Sequence, residues 1–150
     1  MTRRALLAAA ASSVVARSLP GDAPVADPWS KDELMEPAAL AQLLRTPQKP
    51  PVILAVAFPA LYRQRHIAHA ELAGPTSKPE GIAALKQAVA GLPQNAAVVI
   101  YCGCCPMGQC PNIRPAYRML KDLGYTNLRV LNLPTNLHTD WTEKGFPVEP

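Results

Sequence analysis

All four cysteines of this 150-residue chain fall within nine residues, directly after an apolar run. The run, residues 97–101, is short and rich in β-branched side chains, which is typical of a strand buried on both faces of a parallel sheet. Cys102 is therefore predicted at the carboxyl end of that strand. In open α/β sheets, ligands bind in the crevice outside those ends. The cysteine loop is thus the candidate functional site, with thiols at Cys102, Cys104, Cys105 and Cys110.

A helix is predicted to follow the loop. Asn112 is a favourable N-cap residue, and Pro115 falls early enough that its missing N–H is one of the unpaired donors of the first turn. Gly124 is predicted to end the helix. The spacing of one buried helical face is kept by Ile113, Ala116, Met119, Leu120 and Leu123. The loop therefore faces free N–H groups and a positive dipole end, where a thiolate is favoured over a thiol.

Length and composition favour a single α/β domain. The 150 residues leave room for one core, and 49% hydrophobic with 17% charged residues suits a globular chain. The formal charge of +4 comes from scattered basic residues accompanied by few aromatics. A surface that binds nucleic acid would group these residue types, so no nucleic-acid partner is predicted.

The amino terminus is interpreted as a targeting segment. Arg3 and Arg4 form a positive start, an apolar run follows, and small residues precede a cleavage site. The predicted organisation is a signal peptide at 1–16, a linker at 17–28 and one domain at 29–150. Sec and twin-arginine export both stay open. We expect a periplasmic or otherwise exported protein without stable membrane insertion after cleavage, in a compartment where disulfides can form.

Strands and helices alternate along the domain. Besides the central strand, strands are predicted at 33–35, 52–58, near 71–72 and at 127–131. Helical segments are predicted at 37–45, after residue 59, after a capping box at Ser77 and Glu80, and at 136–145 with Trp141 inward. This alternation predicts a mostly parallel sheet with helices on both faces.

The order of these features resembles the rhodanese-like family of sulfurtransferase domains over about residues 31–149. Tyr62 with HIAHA at 66–70 is similar to the family's "Y…GHIPGA", and VVIYC at 98–102 is similar to its strand ending in "YC". The family's closing pattern of a helix, "LGY", a strand, a tryptophan and "GYPVE" is matched by Ala116, Leu120, 123–125, 130–131, Trp141 and 145–149. The resemblance implies a rhodanese-like three-layer sandwich, with about five strands in a mostly parallel sheet.

The resemblance also implies an activity that needs no cofactor. Cys102 would take a sulfane sulfur from a small anionic donor such as thiosulfate, become a persulfide, and pass the sulfur to a thiol or another thiophilic acceptor. Arg114 resembles the arginine that closes the family's active-site loop and would hold the donor through paired N–H groups. Eleven residues separate Cys102 from Arg114, more than is usual in the family, and they include three further cysteines. Cys105 is an alternative sulfur carrier if this longer loop shifts the site.

Two other interpretations of the cysteines stay open. Export could oxidise the loop into disulfides, for instance between Cys110 and either Cys102 or Cys105. Alternatively, the thiolates of Cys102, Cys104, Cys105 and Cys110 could bind a soft metal such as copper or zinc, or an iron–sulfur centre, although paired CxxC arms are missing. The alternative function is therefore a non-enzymatic rhodanese-like domain whose loop binds a soft metal or is a disulfide-stabilised interaction module.

The three histidines are secondary candidates. His66 is interpreted as a packed, hydrogen-bonded residue. His69 stands where the family has glycine and could approach the cysteine loop. His138 is interpreted as a surface residue.

Overall fold

The computed structural model describes residues 26–150, which form a parallel sheet covered on both faces. Its strands are β1 (Leu34–Met35), β2 (Val52–Ala55), β3 (His66–Ile67), β4 (Ala70–Leu72), β5 (Val98–Tyr101), β6 (Leu128–Leu131) and β7 (Val148–Glu149). Its α-helices are α1 (Pro37–Arg45), α2 (Pro59–Gln64), α3 (Pro79–Ala88) and α4 (Ile113–Asp122). Short 3₁₀ turns lie at Lys31–Glu33 and Met107–Gln109, and a π-helical turn lies at His138–Thr142.

Strand β5 is the middle strand of the main sheet. The strand order is β1-β6-β5-β2-β4, and every neighbouring pair is parallel. Carboxyl ends of parallel strands meet at one edge of a sheet, so Cys102, which follows β5, lies at the middle of that edge.

Successive residues of β5 face two separate hydrophobic cores. Val98 and Ile100 belong to the core that contains buried side chains of α3 and α4, such as Leu85 and Leu120. Val99 and Tyr101 belong to the core on the opposite face, with Leu40 of α1 and Trp141. This alternation produces a three-layer sandwich and confirms the predicted fold class.

Helix α4 begins and ends where the sequence predicts. Asn112 occupies the N-cap position, and Gly124 follows the helix with a φ of +89°, a conformation that favours glycine. The Tyr125 N–H donates to the Leu120 carbonyl at 3.1 Å, which completes the usual C-terminal motif. The helix therefore presents a fixed buried face to the sheet, formed by Ile113, Ala116, Tyr117 and Leu120.

Leu123, which is predicted on the buried face of α4, is exposed, and so is Leu43 of α1. Leu123 is 40% exposed because α4 has ended and the chain is turning into the glycine that follows. Leu43 is 37% exposed because the buried face of α1 is centred on Leu40 and Ala41. Periodicity locates a helical stripe only to within one residue, since each residue turns the helix by roughly 100°.

The predicted capping box at Ser77 is wrong. The N-cap of α3 is Lys78, and the backbone N–H of Ser77 instead donates to the side-chain Oδ1 of Asn112 at 2.9 Å. A tertiary contact with the start of α4 thus replaces the local cap.

The sequence also does not predict the small antiparallel sheet of β3 and β7. Two-residue strands are too short to show a period. The pair is fixed by tertiary contacts instead: the hydroxyl of Tyr101 accepts a hydrogen bond from the Ile67 N–H at 3.1 Å. The indole N–H of Trp141 donates to the Pro147 carbonyl at 2.9 Å, which holds the segment before β7.

The predicted signal peptide, residues 1–16, lies outside the described residues, as does most of the predicted linker at 17–28. The end of the linker packs against the domain through an ion pair between Asp27 and Arg114. Within residues 26–150, no helix combines the length and the apolar character needed to cross a bilayer.

Candidate functional site

Cys102 directly follows the middle strand of the main sheet. Its side chain is 4% exposed and belongs to the core between the sheet and helices α3 and α4. Pairing of β2 with β5 continues up to the cysteine, because the Val56 N–H donates to the Tyr101 carbonyl at 2.8 Å. The Cys102 sulfur therefore has a fixed position against which the loop is arranged.

The loop brings all four predicted thiols together. The Sγ atoms of Cys102, Cys104 and Cys110 all lie within 4.8 Å of one another, and we call them the three-sulfur group. Cys102 Sγ is 3.2 Å from Cys104 Sγ, and Cys104 Sγ is 3.1 Å from Cys105 Sγ. The four cysteines are free thiols, so the structure contains none of the disulfides considered from the sequence.

Burial changes the acidity of the thiols around Cys102. It raises the pKa of Cys104 to about 12 and also raises the pKa of Cys105. A hydrogen bond to Cys102, together with burial, raises the pKa of Cys110, although the backbone N–H groups of Asn112 and Ile113 act in the opposite direction. The thiol of Cys110 therefore donates a hydrogen bond to the Cys102 sulfur, whereas Cys104 accepts one from Cys102.

The side chain of Asn112 connects Cys102 to helix α4. It is fully buried, and its Nδ2 donates to Cys102 Sγ at 3.4 Å while its Oδ1 accepts from the Ser77 N–H at 2.9 Å. Its backbone carbonyl accepts a hydrogen bond from the Thr76 hydroxyl. The sequence predicts Asn112 correctly at the helix start, but only the fold shows that its amide contacts the cysteine.

Gly103 produces the turn that places Cys104 next to Cys102. Its φ is +73°, and a Cβ atom there would lie 2.7 Å from the Cβ of Leu137. The Leu137 N–H donates to the Gly103 carbonyl at 3.1 Å, so the turn is pinned from the far side. Both the backbone conformation and the lack of space thus require glycine at this position.

An open groove of about 520 Å³ adjoins the loop. Cys104 and Gly103 form part of its wall, and Arg65 at the end of α2 and His138 form another part. Cys104 is therefore the thiol that a ligand in this groove would contact. Arg65 brings a positive charge to the groove. The sequence does not mark it as a site residue, because an arginine at a helix end is an ordinary surface residue.

A second cavity of about 10 Å³ lies inside the loop. Cys102, Cys105 and Cys110 border it, and its other walls include the apolar side chains of Met107, Ile113, Leu131 and Leu133. A volume of this size has room for about one atom.

Arg114 contacts the loop backbone and the start of the domain. Its Nη2 lies 2.5 Å from Asp27 Oδ1, its Nη1 donates to the Met107 carbonyl at 3.5 Å, and its guanidinium covers the ring of Trp29 at 5.6 Å. These contacts connect the loop and the start of helix α4 to the start of the domain. The role of Arg114 as an anion contact stays a prediction.

The histidines lie around the site rather than in it. His66 is buried, stacks on Tyr62 with ring centroids 3.8 Å apart, and has its Nδ1 3.1 Å from the Tyr62 carbonyl, which confirms the packed role. His69 adopts a φ of +64°, a conformation that favours glycine, and its Nδ1 is 3.7 Å from Glu149 Oε1. His138 is exposed, as predicted, at the border of the groove.

The fold is similar to solved structures of rhodanese-like domains. A solution structure of the rhodanese-like domain of the Alr3790 protein from Anabaena sp. has a TM-score of 0.57, covering 78% of this chain and 78% of that chain at 20% identity. A crystal structure of the Alr3790 protein from Anabaena sp. has a TM-score of 0.60, covering 77% of this chain and 81% of that one at 18% identity. No protein-family model matches the sequence, and no curated protein matches it.

Proposed function

We propose that this chain, which has the rhodanese-like fold, is an exported sulfurtransferase that carries a sulfane sulfur as a persulfide on Cys102. One observation carries the proposal: Cys102 lies at the end of the central strand, beside a cavity with room for about one atom. The outer sulfur of a persulfide needs such a space. Because one fold hosts many functions, the chemistry is argued from the loop itself.

The proposed transfer is balanced without an external oxidant or reductant. The thiolate of Cys102 attacks the outer sulfur of thiosulfate, the S–S bond of the donor breaks, and sulfite leaves with the bonding electron pair. Cys102 then holds a persulfide anion. The thiolate of an acceptor attacks the outer sulfur, a new S–S bond forms on the acceptor, and the Cys102 thiolate is restored.

Several donors surround the charge that moves in this reaction. The Nδ2 of Asn112 and the thiol of Cys110 donate to Cys102 Sγ, and the thiol of Cys104 lies beside it. Fixed donors aimed at a developing anion stabilise it more than water does, because they need no reorganisation. The fully buried position of the Asn112 side chain keeps that donor in place.

The groove is the proposed binding site for the anionic donor. Arg65 lines it together with Cys104, so an anion held by Arg65 would lie next to the loop, and its outer sulfur would have to pass Cys104 to reach Cys102, which is buried behind it. The guanidinium of Arg114 is already paired with Asp27, and it stays a second candidate for the anion contact. Export and a thiol acceptor complete the proposal, and the export rests on the pattern of residues 1–16.

Mass analysis of loop peptides tests the proposal. Reduced, metal-free protein lacking residues 1–16 is incubated with thiosulfate and, separately, with an organic polysulfide. We expect the mass of one sulfur on the peptide in wild type, its loss in Cys102→Ser, and its retention in the matched control Cys105→Ser. Wild-type protein that gains no sulfur from either donor would overturn the proposal, as would sulfur carried on Cys105 in the Cys102→Ser variant.

A further inference from the structure

We propose that Cys102, Cys104 and Cys110 form a binding site for a single Cu(I) ion. This proposal does not depend on sulfur transfer, because the three sulfurs act as metal ligands. It rests on their arrangement in the fold: the sequence spacing of the three cysteines does not match a metal-binding motif, yet their side chains converge on one point.

The distances suit a trigonal site. All three Sγ atoms lie within 4.8 Å of one another. Metal–sulfur bonds of about 2.3 Å place the sulfurs of a flat three-coordinate site about 4.0 Å apart. The Cys102–Cys104 pair, now at 3.2 Å, would open slightly. Rotation about the Cα–Cβ bond of the half-buried Cys104 is enough for this change.

The ligand set selects a soft ion. The three-sulfur group consists of thiols only, and thiolates prefer ions such as Cu(I) to hard ions such as Mg²⁺. Zn²⁺ is almost always four-coordinate in closed protein sites. Cys105 is the neighbouring thiol, and its Sγ lies 3.1 Å from that of Cys104, but it does not belong to the group whose sulfurs all lie within 4.8 Å of one another. The three remaining thiolate ligands match the requirements of three-coordinate Cu(I).

Neighbouring residues already hold the three-sulfur group in position. The Nδ2 of Asn112 donates to Cys102 Sγ, and such N–H···S contacts orient metal ligands. The turn at Gly103 keeps Cys102 and Cys104 on the same side of the chain. Because these contacts are present without an ion, binding of an ion requires little further ordering of the loop.

The groove offers a route for the ion. Cys104 lies in the groove wall, whereas Cys102 and Cys110 are buried behind it. A Cu(I) ion delivered by a soft donor in the groove can bind Cys104 first and then exchange its former ligands for Cys102 and Cys110. Each thiol that binds gives up its proton to solvent, and copper stays in the +1 state throughout, so no electron is transferred.

Competition with a chromogenic Cu(I) chelator tests the site. Reduced protein that lacks the predicted signal peptide, residues 1–16, is titrated anaerobically with Cu(I) in the presence of bathocuproine disulfonate. We expect one tightly bound Cu(I) per chain. Loss of a ligand in Cys104→Ser or Cys110→Ser should weaken binding by about 100-fold or more. Cys105→Ser is the matched control and should bind as wild type does.

X-ray absorption of the wild-type complex keeps the test independent of variant folding. We expect three sulfur scatterers and no nitrogen around copper. Binding of two or more Cu(I) ions, equal weakening by Cys105→Ser, or a tighter four-sulfur complex with Zn²⁺ would each overturn the three-sulfur site. Because the persulfide assay uses metal-free protein, a negative result there contradicts only the sulfurtransferase proposal, and a negative Cu(I) titration contradicts only the metal site. Stoichiometric Cu(I) should also block sulfur loading of Cys102, and loading that proceeds unchanged in the copper complex would contradict the proposal.

Discussion

The side-chain amide of Asn112 donates to the sulfur of Cys102 across 3.4 Å and joins the start of helix α4 to the end of strand β5. The other end of the same amide is fixed by the backbone N–H of Ser77. The donor therefore cannot rotate away when the cysteine changes state. The attacking thiolate of Cys102 and a thiolate bound to an ion both carry negative charge on that sulfur, so both proposed roles depend on this contact.

Asn112→Asp is the first test of that contact. The substitution keeps an oxygen for Ser77 but replaces the N–H donor by a carboxylate oxygen, so a charged Cys102 sulfur would lose one hydrogen bond and meet a like charge. A hydrogen bond to a charged group contributes about 1.5 kcal/mol, which corresponds to roughly a tenfold slower reaction. We expect alkylation of Cys102 by iodoacetamide to slow by about that factor, measured by peptide mass.

Cys105 is the internal control in this experiment. A purely structural role of Asn112 would change the rates at both cysteines, whereas a positioning role changes the rate at Cys102 alone. Equal slowing at the two thiols would contradict the role assigned to Asn112.

Gly103→Ala should displace Cys104. The glycine has a φ of +73°, and the new methyl group would meet the Leu137 Cβ at 2.7 Å. A non-glycine residue in this backbone conformation costs about 1–3 kcal/mol. We expect a lower midpoint of urea unfolding and loss of Cu(I) affinity. Gly108 is the matched control in the same loop, since a Cβ there has nothing within 4 Å, and Gly108→Ala should leave both measurements unchanged.

Arg65→Gln should weaken the use of an anionic donor. Arg65 lines the groove beside Cys104. Loss of one charge-assisted hydrogen bond corresponds to about a tenfold higher thiosulfate concentration for half-maximal sulfur loading. Arg63→Gln removes the same charge from an exposed position of α2 and should have little effect. If the two variants behave alike, the groove is not the donor site, and the corresponding change at Arg114 becomes the next measurement.

Glu33 should make the domain sensitive to acid. Hydrogen bonds from the Ser30 backbone and the Tyr117 hydroxyl, with a smaller contribution from Lys121, lower the pKa of Glu33 from 4.5 to about 2. A lowered pKa stabilises the folded state above the ordinary pKa, and this contribution is lost as pH falls from about 4.5 towards 2. The group is partly solvated, so we expect about 1 kcal/mol or less.

The measurement is urea unfolding of Glu33→Gln and wild type between pH 7 and pH 2. The destabilisation caused by the variant should be full at neutral pH and should disappear at the acid end. Asp32→Asn, in the same turn, removes an equal charge while leaving the contacts of Glu33 with Ser30 and Lys121 in place. A difference between Glu33→Gln and wild type that does not shrink with acid would show that the carboxylate is not stabilised as described.

Much of the fold follows from local patterns. The run at 97–101 is apolar without alternation because β5 is buried on both faces, and helix α1 occupies residues 37–45 as its prolines and leucines predict. The errors include the exposed Leu123, the cap at Ser77 and the missed sheet of β3 and β7. Each of these features depends on tertiary contacts, and a periodic pattern in the sequence carries no information about those contacts.

The sequence by itself determined that the cysteines form one loop at a strand end, because strand, loop and helix are each encoded locally over a few residues. Only the tertiary structure decided which of the four thiols is accessible, which are buried and which lies apart from the others. Cys104 lines the groove, Cys102 and Cys110 are buried behind it, and Cys105 lies outside the three-sulfur group. The physical reason is that this division depends on long-range contacts. Leu137 pins Gly103, and Ser77 fixes the amide that holds Cys102, across separations that no spacing within the loop records.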